Sequence, residues 1–138
     1  MNFAQDIDDH IYQIHGFTDN GIEIAVPGGA NVLKTTLIDG IATLKQSFII
    51  APSTLIEEWS ARQVSDLSQD GIISPLLGLD IEILILGSGD RLIFPESSLL
   101  APFMSRGIGV EVMDSRAACR TYNLLSGEGR KVAAAVII

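Results

Sequence analysis

The chain has 138 residues, of which 47% are hydrophobic and 19% charged, a composition that excludes a disordered protein and is typical of a globular domain with a buried core. The formal net charge of −8 and the aromatic content of 6% disfavour nucleic acid as a partner, since nucleic-acid-binding domains carry a basic surface. One cysteine and two histidines exclude an internal disulfide and form no metal-ligand cluster at a recognisable spacing, so we expect neither a metal nor another cofactor.

Neither end of the chain resembles a membrane or targeting segment. The longest apolar run, Val132 to Ile138, is too short to span a bilayer, so we predict that this is not an integral membrane protein. The opening "MNFAQDIDDHIYQIHG" is acidic and lacks both the apolar stretch of a secretory signal and the arginines of a mitochondrial presequence. We therefore expect a single cytoplasmic domain over residues 1–138.

The first third of the chain predicts antiparallel β-hairpins. Asn20-Gly21 separates "IYQIHGF" from "IEIAV", and both residues tolerate the positive φ of a type I′ turn. The pattern repeats around Asp39-Gly40 in "TTLIDGIATL". A further strand is predicted from Ser47 to Pro52, where the missing N–H of proline ends it.

The remainder of the chain predicts alternating strands and helices. The middle holds a short helix or turn and a second one that begins near Ser68 and ends at Gly78, where glycine can take the left-handed conformation. From residue 80 we predict a strand in "DIEILILG", a short strand in "RLIF", a helix in "PESSLLAPFMSRG" capped by Ser97 or Ser98, a strand from Ile108 to Met113, a helix from Ser115 to Ser126 and a strand from Lys131 to Ile138. Such a βαβαβ series forms right-handed crossovers and a largely parallel sheet, with the N-terminal hairpins packed on it or added to it.

The first candidate site is the turn at Asp114-Ser115, where a strand passes into a helix. Either side chain can cap the first helical turn. Alternatively, the turn contributes to a ligand crevice at the carboxyl ends of the strands. Arg116, Arg120 and Asn123 follow at helical spacing on one face, which is either solvated, an anion site or a partner surface.

The second candidate is the corner Gly87-Ser88-Gly89-Asp90, which follows the predicted buried strand. Closely spaced backbone N–H groups of Gly87, Ser88 and Gly89 can hold an anion, although a tight turn also explains the glycines. The corner lacks the Gly-Lys-Ser/Thr ending of a Walker loop and the third glycine of a dinucleotide fingerprint. No catalytic residue is assigned here or elsewhere.

Cys119 is the third candidate, because a thiolate is a nucleophile and a metal ligand. Arg116 and Arg120 are near it in sequence, whereas His10 and His15 lie far along the chain. Cysteine is also among the most often buried residue types, so a small core side chain is the plainer interpretation.

Three stretches resemble a known family: "SFIIAPSTLIEEW", "LGSGDRLIFP" and "RGIGVEVMDSRAACRTYNLLSGEGRKVAAAVI". They are similar to small bacterial and archaeal domains of unknown function, whose mitochondrial relatives include assembly factor 3 of NADH dehydrogenase, respiratory complex I. The resemblance covers roughly residues 10–138 and is strongest over residues 86–138. It implies a three-layer α/β domain with a mixed sheet and carries over no catalytic residues.

Two functional hypotheses follow. The first is a non-enzymatic interaction protein, of the kind the resemblance implies for assembly of a respiratory complex, with a protein partner such as a respiratory subunit. The second is a small anion- or metabolite-binding domain, either a binding module or an enzyme, whose site lies between Gly87–Asp90 and Asp114–Arg120. In that site an arginine pairs with a carboxylate or phosphate, and N–H groups of the glycine corner bind a second oxygen.

Overall fold

The computed structural model describes residues 10–28, 30 and 33–138. In chain order the elements are β1 (Gln13–Thr18), β2 (Gly21–Ala25), β3 (Ile41–Leu44), β4 (Phe48–Ala51), β5 (Thr54–Ile56), a 3₁₀ helix (Val64–Ser68), α1 (Ser74–Leu77), β6 (Ile83–Gly87), α2 (Ser97–Met104), β7 (Gly109–Met113), α3 (Ser115–Gly127) and β8 (Val132–Val136). Among these helices none is long and apolar enough to cross a membrane.

Strands β1, β2 and β3 form an antiparallel three-stranded sheet, and the β1–β2 hairpin confirms the first predicted hairpin. The second predicted hairpin is reduced to an isolated bridge between Ile38 and Ile41, because β3 pairs with β2 and residues 35–37 form no strand. The turn types differ from the prediction. Thr18 pairs with Gly21, and a Cβ on Gly21 would lie 2.3 Å from the Leu44 carbonyl oxygen, so glycine is required there for close approach. The two positive φ angles of a type I′ turn occur instead at Asp39 (52°) and Gly40 (78°).

The second sheet has five strands in the order β5-β4-β8-β6-β7. Strand β6 is parallel to both β7 and β8, so the predicted βαβαβ unit is confirmed. The sheet is mixed, as predicted, and its parallel character is partly confirmed: the pairings of β6 are parallel, whereas β4 is antiparallel to both β8 and β5. A tight connection can join only antiparallel neighbours, and the β4–β5 hairpin extends the sheet on the β8 side.

The five-stranded sheet is the middle of three layers. Helix α3 and the three-stranded sheet cover one face, and the core between them includes Phe48, Ile85 and Tyr122. The 3₁₀ helix, α1 and α2 cover the other face, with Trp59 and Phe103 in that core. Because both faces are covered, the central strands β6 and β8 are apolar on both sides, in agreement with the buried strand predicted in "DIEILILG".

Three local predictions in the second half were wrong. The "RLIF" segment, residues 91–94, forms no strand. Glu96 occupies the N-cap position of α2, although its side chain makes no capping bond. Ser97 and Ser98 therefore lie inside the helix, and neither is the cap. Gly78 follows α1 as predicted, but its φ is −87°, so the left-handed conformation is not used there.

Candidate functional site

The glycine corner and the start of α3 meet at one rim of the five-stranded sheet. The Ser115 hydroxyl oxygen accepts a hydrogen bond from the Gly89 N–H at 2.8 Å and donates to the Ile137 carbonyl at 2.5 Å. The Ser115 N–H in turn donates to the Gly89 carbonyl at 2.9 Å. Ser115 therefore joins the β6 corner to the end of β8 as well as starting its own helix.

Gly87 is explained by the close approach of α3. A Cβ on Gly87 would lie 2.9 Å from Ser115 Oγ, 3.0 Å from Ser115 Cα and 3.1 Å from Ala118 Cβ. Two of these three atoms belong to Ser115, whose hydroxyl is held by its own hydrogen bonds. The corner is thus packed directly against the first turn of the helix.

The polar groups at this rim are engaged within the protein. The Ser88 N–H donates to the Met113 carbonyl at 2.9 Å, and the Gly89 N–H donates to Ser115. Asp114 is the helix cap, its Oδ1 accepting from the Ala117 N–H at 2.9 Å. The Ser88 and Gly89 N–H groups are two of the donors that the anion hypothesis assigns to a ligand, and anion binding at this rim stays a prediction.

Ser88 holds the segment that follows the corner. Its buried hydroxyl donates to the Arg91 carbonyl at 2.6 Å and accepts from the Ile93 N–H at 3.0 Å. Both contacts are to backbone atoms, so they determine the path of the chain from residue 91 to residue 93.

The three polar residues predicted on one face of α3 have separate surroundings. The guanidinium of Arg116 lies 4.8 Å from the ring centroid of Phe17, a cation–π contact with β1. The side-chain amide of Asn123 accepts a hydrogen bond from the Ile14 N–H at 2.9 Å and donates one to the Ile14 carbonyl at 2.8 Å. Arg120 is exposed. The two arginines therefore remain accessible from solvent, whereas Asn123 belongs to the packing between α3 and β1.

Cys119 is a core residue. Its side chain is fully buried between α3 and the sheet. Burial raises the pKa of the Cys119 thiol to about 12, although Arg120 and Arg116 lower it slightly. A thiol with this pKa is protonated at neutral pH and is a poor nucleophile.

A feature that the sequence analysis missed lies directly after the Ser88 corner. Leu92, Ile93 and Phe94 are 53%, 50% and 69% exposed, and we call these three residues the apolar loop. Beside the loop, between the 3₁₀ helix and α2, runs a groove of about 280 Å³ lined by Val64, Ser65, Ser68, Ile93, Phe94, Pro95, Glu96 and Leu99. The available signal was an apolar stretch without alternation between a glycine turn and a proline, which we had predicted to be a strand.

Comparison with known proteins identifies the family of the chain and shows which solved structures share its fold. Residues 20–137 match the family described as "Protein of unknown function (DUF498/DUF598)". Over 112 residues the chain is 35% identical to the Danio rerio protein named NADH dehydrogenase (ubiquinone) 1 alpha subcomplex assembly factor 3, a match covering 80% of this chain and 60% of that protein. The chain therefore spans about three-fifths of the length of this relative.

Two solved structures have the same fold over nearly the whole chain. A Bordetella parapertussis protein superposes with a TM-score of 0.73 at 26% identity, covering 92% of this chain and 95% of its own. A Xanthomonas campestris protein gives 0.70 at 33% identity, with 100% and 92% covered. The resemblance stated from the sequence motifs is confirmed: the chain belongs to the DUF498/DUF598 family of proteins of unknown function.

Proposed function

We propose that this protein acts by binding another protein, in the manner of an assembly factor for a membrane-bound NADH dehydrogenase, and that it does so from the cytoplasm. The observation that carries the proposal is the apolar loop. Three consecutive large apolar side chains are half or more exposed at one rim of the molecule. Contiguous exposed apolar surface of this kind commonly marks an interaction site.

The loop is presented in a defined conformation. The buried Ser88 hydroxyl bonds the backbone at Arg91 and Ile93, and Pro95 limits the backbone at the other end. Ordering a loop on binding costs free energy, and a preformed loop avoids part of that cost. Complete burial of a fully exposed large apolar side chain contributes about 1.5–3 kcal/mol, and covering these side chains, which are half or more exposed, recovers roughly half to two-thirds of that figure each.

The groove beside the apolar loop gives the proposed docking surface a concave part. It is lined by apolar side chains, such as Val64 and Leu99, and by the small polar residues Ser65 and Ser68. An apolar centre with a polar border is the usual arrangement of a protein–protein contact. The groove therefore supports a protein partner.

The relative's name supports the kind of partner. The Danio rerio protein is named as an assembly factor of an NADH dehydrogenase subcomplex, and this chain matches 60% of it. We extend that role to this chain as a proposal, with respiratory-complex subunits or another assembly protein as the partner class.

Affinity capture with matched variants tests the proposal. The tagged full chain is expressed in its native host, and the captured proteins are quantified for wild type, for Phe94→Asp and for Ile38→Asp. Ile38 is the control because it is 73% exposed, comparable with Phe94, but lies in the β-hairpin region before β3. We expect wild type and Ile38→Asp to recover subunits of the NADH dehydrogenase or its assembly proteins, and Phe94→Asp to lose at least nine-tenths of that recovery.

The controls separate folding from binding. Circular dichroism and thermal unfolding should be unchanged for both variants, since each changes an exposed side chain. The proposal is contradicted if wild type recovers no protein above an untagged control, or if Phe94→Asp and Ile38→Asp recover the same partners equally.

A further inference from the structure

Strand β7 forms one outer edge of the five-stranded sheet, with β6 as its neighbour. The Gly109 N–H donates to the Glu82 carbonyl, and the Met113 carbonyl accepts from the Ser88 N–H, both at 2.9 Å. In a parallel ladder the bonded residues alternate, so Gly109, Glu111 and Met113 bond inwards to β6. The N–H and C=O groups of Val110 and Val112 consequently point away from the sheet, and no residue in the described ranges bonds them.

The three-stranded sheet has an edge that is covered. Strand β1 is an edge of the three-stranded sheet, and the outward N–H and C=O of its Ile14 are both bonded by the Asn123 side chain. Within the described part of the chain, no side chain bonds the outward N–H and C=O groups of β7 in this way. Unpaired edge groups are a template for an added strand.

The side chains of β7 define the chemistry of an added strand. Val110 and Val112 are partly buried against the core beneath α2, so apolar residues on the added strand beside them would extend that core. Glu111 lies between them on the opposite face, because side chains alternate, and it is exposed. A Lys or Arg placed across from Glu111 pairs its charge, and such cross-strand pairs contribute roughly 0.2–1 kcal/mol.

The same carboxylate disfavours a second copy of this chain. An antiparallel pairing of two β7 strands centred on Glu111 would set two carboxylates opposite each other, which is destabilising. Each copy also carries a net charge of −8, so the copies repel at long range. Charge complementarity therefore favours a basic partner segment over self-association.

We propose that the outer edge of β7 is a strand-addition site for an extended partner segment with the pattern apolar–basic–apolar, the basic residue facing Glu111. The inference deepens the proposed function and rests on it, since it names the chemistry of the segment that a protein partner would add. The charge on Glu111 also protects the free edge from acidic or identical strands.

A titration followed by amide NMR tests this site directly. The probes are two acetylated, amidated peptides, Thr-Val-Lys-Val-Thr and Thr-Val-Glu-Val-Thr, added to the full 138-residue chain. We expect the lysine peptide to shift the Val110 and Val112 amides and to slow their hydrogen exchange at least tenfold, and to bind at least threefold more tightly than the glutamate peptide. In Glu111→Lys the preference should reverse.

Methylating the backbone nitrogens of the peptide that face β7 is the matched control, because it removes the donors and leaves the side chains and charge unchanged. Binding should then be lost. The inference is overturned by shifts that map elsewhere or are absent up to millimolar peptide, by equal binding of the two charged peptides, or by protein dimers paired through β7. Its failure leaves the apolar loop intact as a docking surface, since capture through Phe94 is measured separately.

Discussion

Asn123 in α3 bonds both backbone groups of Ile14 in β1, 109 residues away. Its Oδ1 accepts from the Ile14 N–H at 2.9 Å, and its Nδ2 donates to the Ile14 carbonyl at 2.8 Å. The side-chain amide thus substitutes for a neighbouring strand at the edge of the three-stranded sheet. Two helix turns earlier, Arg116 contacts Phe17 of the same strand, so β1 is attached to α3 along its length.

Removing this amide should loosen the attachment of the N-terminal sheet. In Asn123→Ala both Ile14 groups lose their partner in a partly buried position, which costs about 1–3 kcal/mol for each group left unsatisfied. We expect the free energy of unfolding in urea to fall by roughly 2 kcal/mol or more. Arg120→Ala on the same helix is the control and should change it by less than about 0.5 kcal/mol. Equal effects of the two substitutions would contradict the role assigned to Asn123.

The close contact at Gly87 predicts opposite outcomes for two Gly→Ala substitutions. Gly87→Ala places a methyl group about 3 Å from Ser115 and Ala118, so α3 must shift, at a cost of about 1–3 kcal/mol. Gly127 has no heavy atom within 4 Å of a built Cβ and lies in the last turn of α3, so Gly127→Ala should be neutral or stabilise by up to about 1 kcal/mol. Thermal unfolding of both variants measures the difference. A Gly87→Ala protein as stable as wild type would show that the corner is not tightly packed.

Ser88 is predicted to hold the apolar loop in place. In Ser88→Ala the Ile93 N–H loses its acceptor, so we expect its amide hydrogen exchange to accelerate at least tenfold. Exchange at Ile85, in the centre of β6, should accelerate less. Ser105→Ala, which removes an exposed hydroxyl bonded to the Pro102 carbonyl, is the control. An unchanged Ile93 exchange rate would mean that the loop conformation does not depend on Ser88.

The buried thiol predicts a loss of stability at alkaline pH. The pKa of Cys119 rises from 9.0 to about 12 on folding, because burial disfavours the thiolate. The folded protein therefore holds this proton more tightly than the unfolded chain, and the associated stability is complete below about pH 9 and is lost as the pH rises towards 12. Between pH 9 and 10 the loss should be roughly 1 kcal/mol at most in wild type and smaller in Cys119→Ala, measured by urea unfolding. The same pH dependence in both proteins would contradict the burial of this thiol.

The sequence predicts those parts of the fold that depend on local pattern. The first hairpin and the βαβαβ series follow from turn residues and hydrophobic periodicity. The position of the β4–β5 hairpin beside β8 does not, because that pairing joins segments far apart in the chain. Local capping preferences also predicted wrongly that Ser97 or Ser98 caps α2. The cap position is held by Glu96, which makes no side-chain bond there.

The candidate site illustrates the same limit. Spacing placed Asn123 on one helix face with Arg116 and Arg120, but it could not show that β1 runs beside that face. The sequence also could not show that Leu92, Ile93 and Phe94 are exposed, since an apolar stretch in a sequence predicts burial. Only tertiary packing shows that this stretch leaves the core and is held outside it by Ser88.

Photocrosslinking in the native host tests the central claim, that the apolar loop is a docking surface for protein, most directly. Phe94 is replaced by p-benzoylphenylalanine, a close analogue of the native side chain, and Ile38 is replaced in the same way as the control. We predict that irradiation joins the residue 94 probe to a discrete protein of the NADH dehydrogenase or its assembly machinery, and that the residue 38 probe gives no such product. Crosslinks from residue 38 with none from residue 94, or no protein crosslink from either, would contradict the claim.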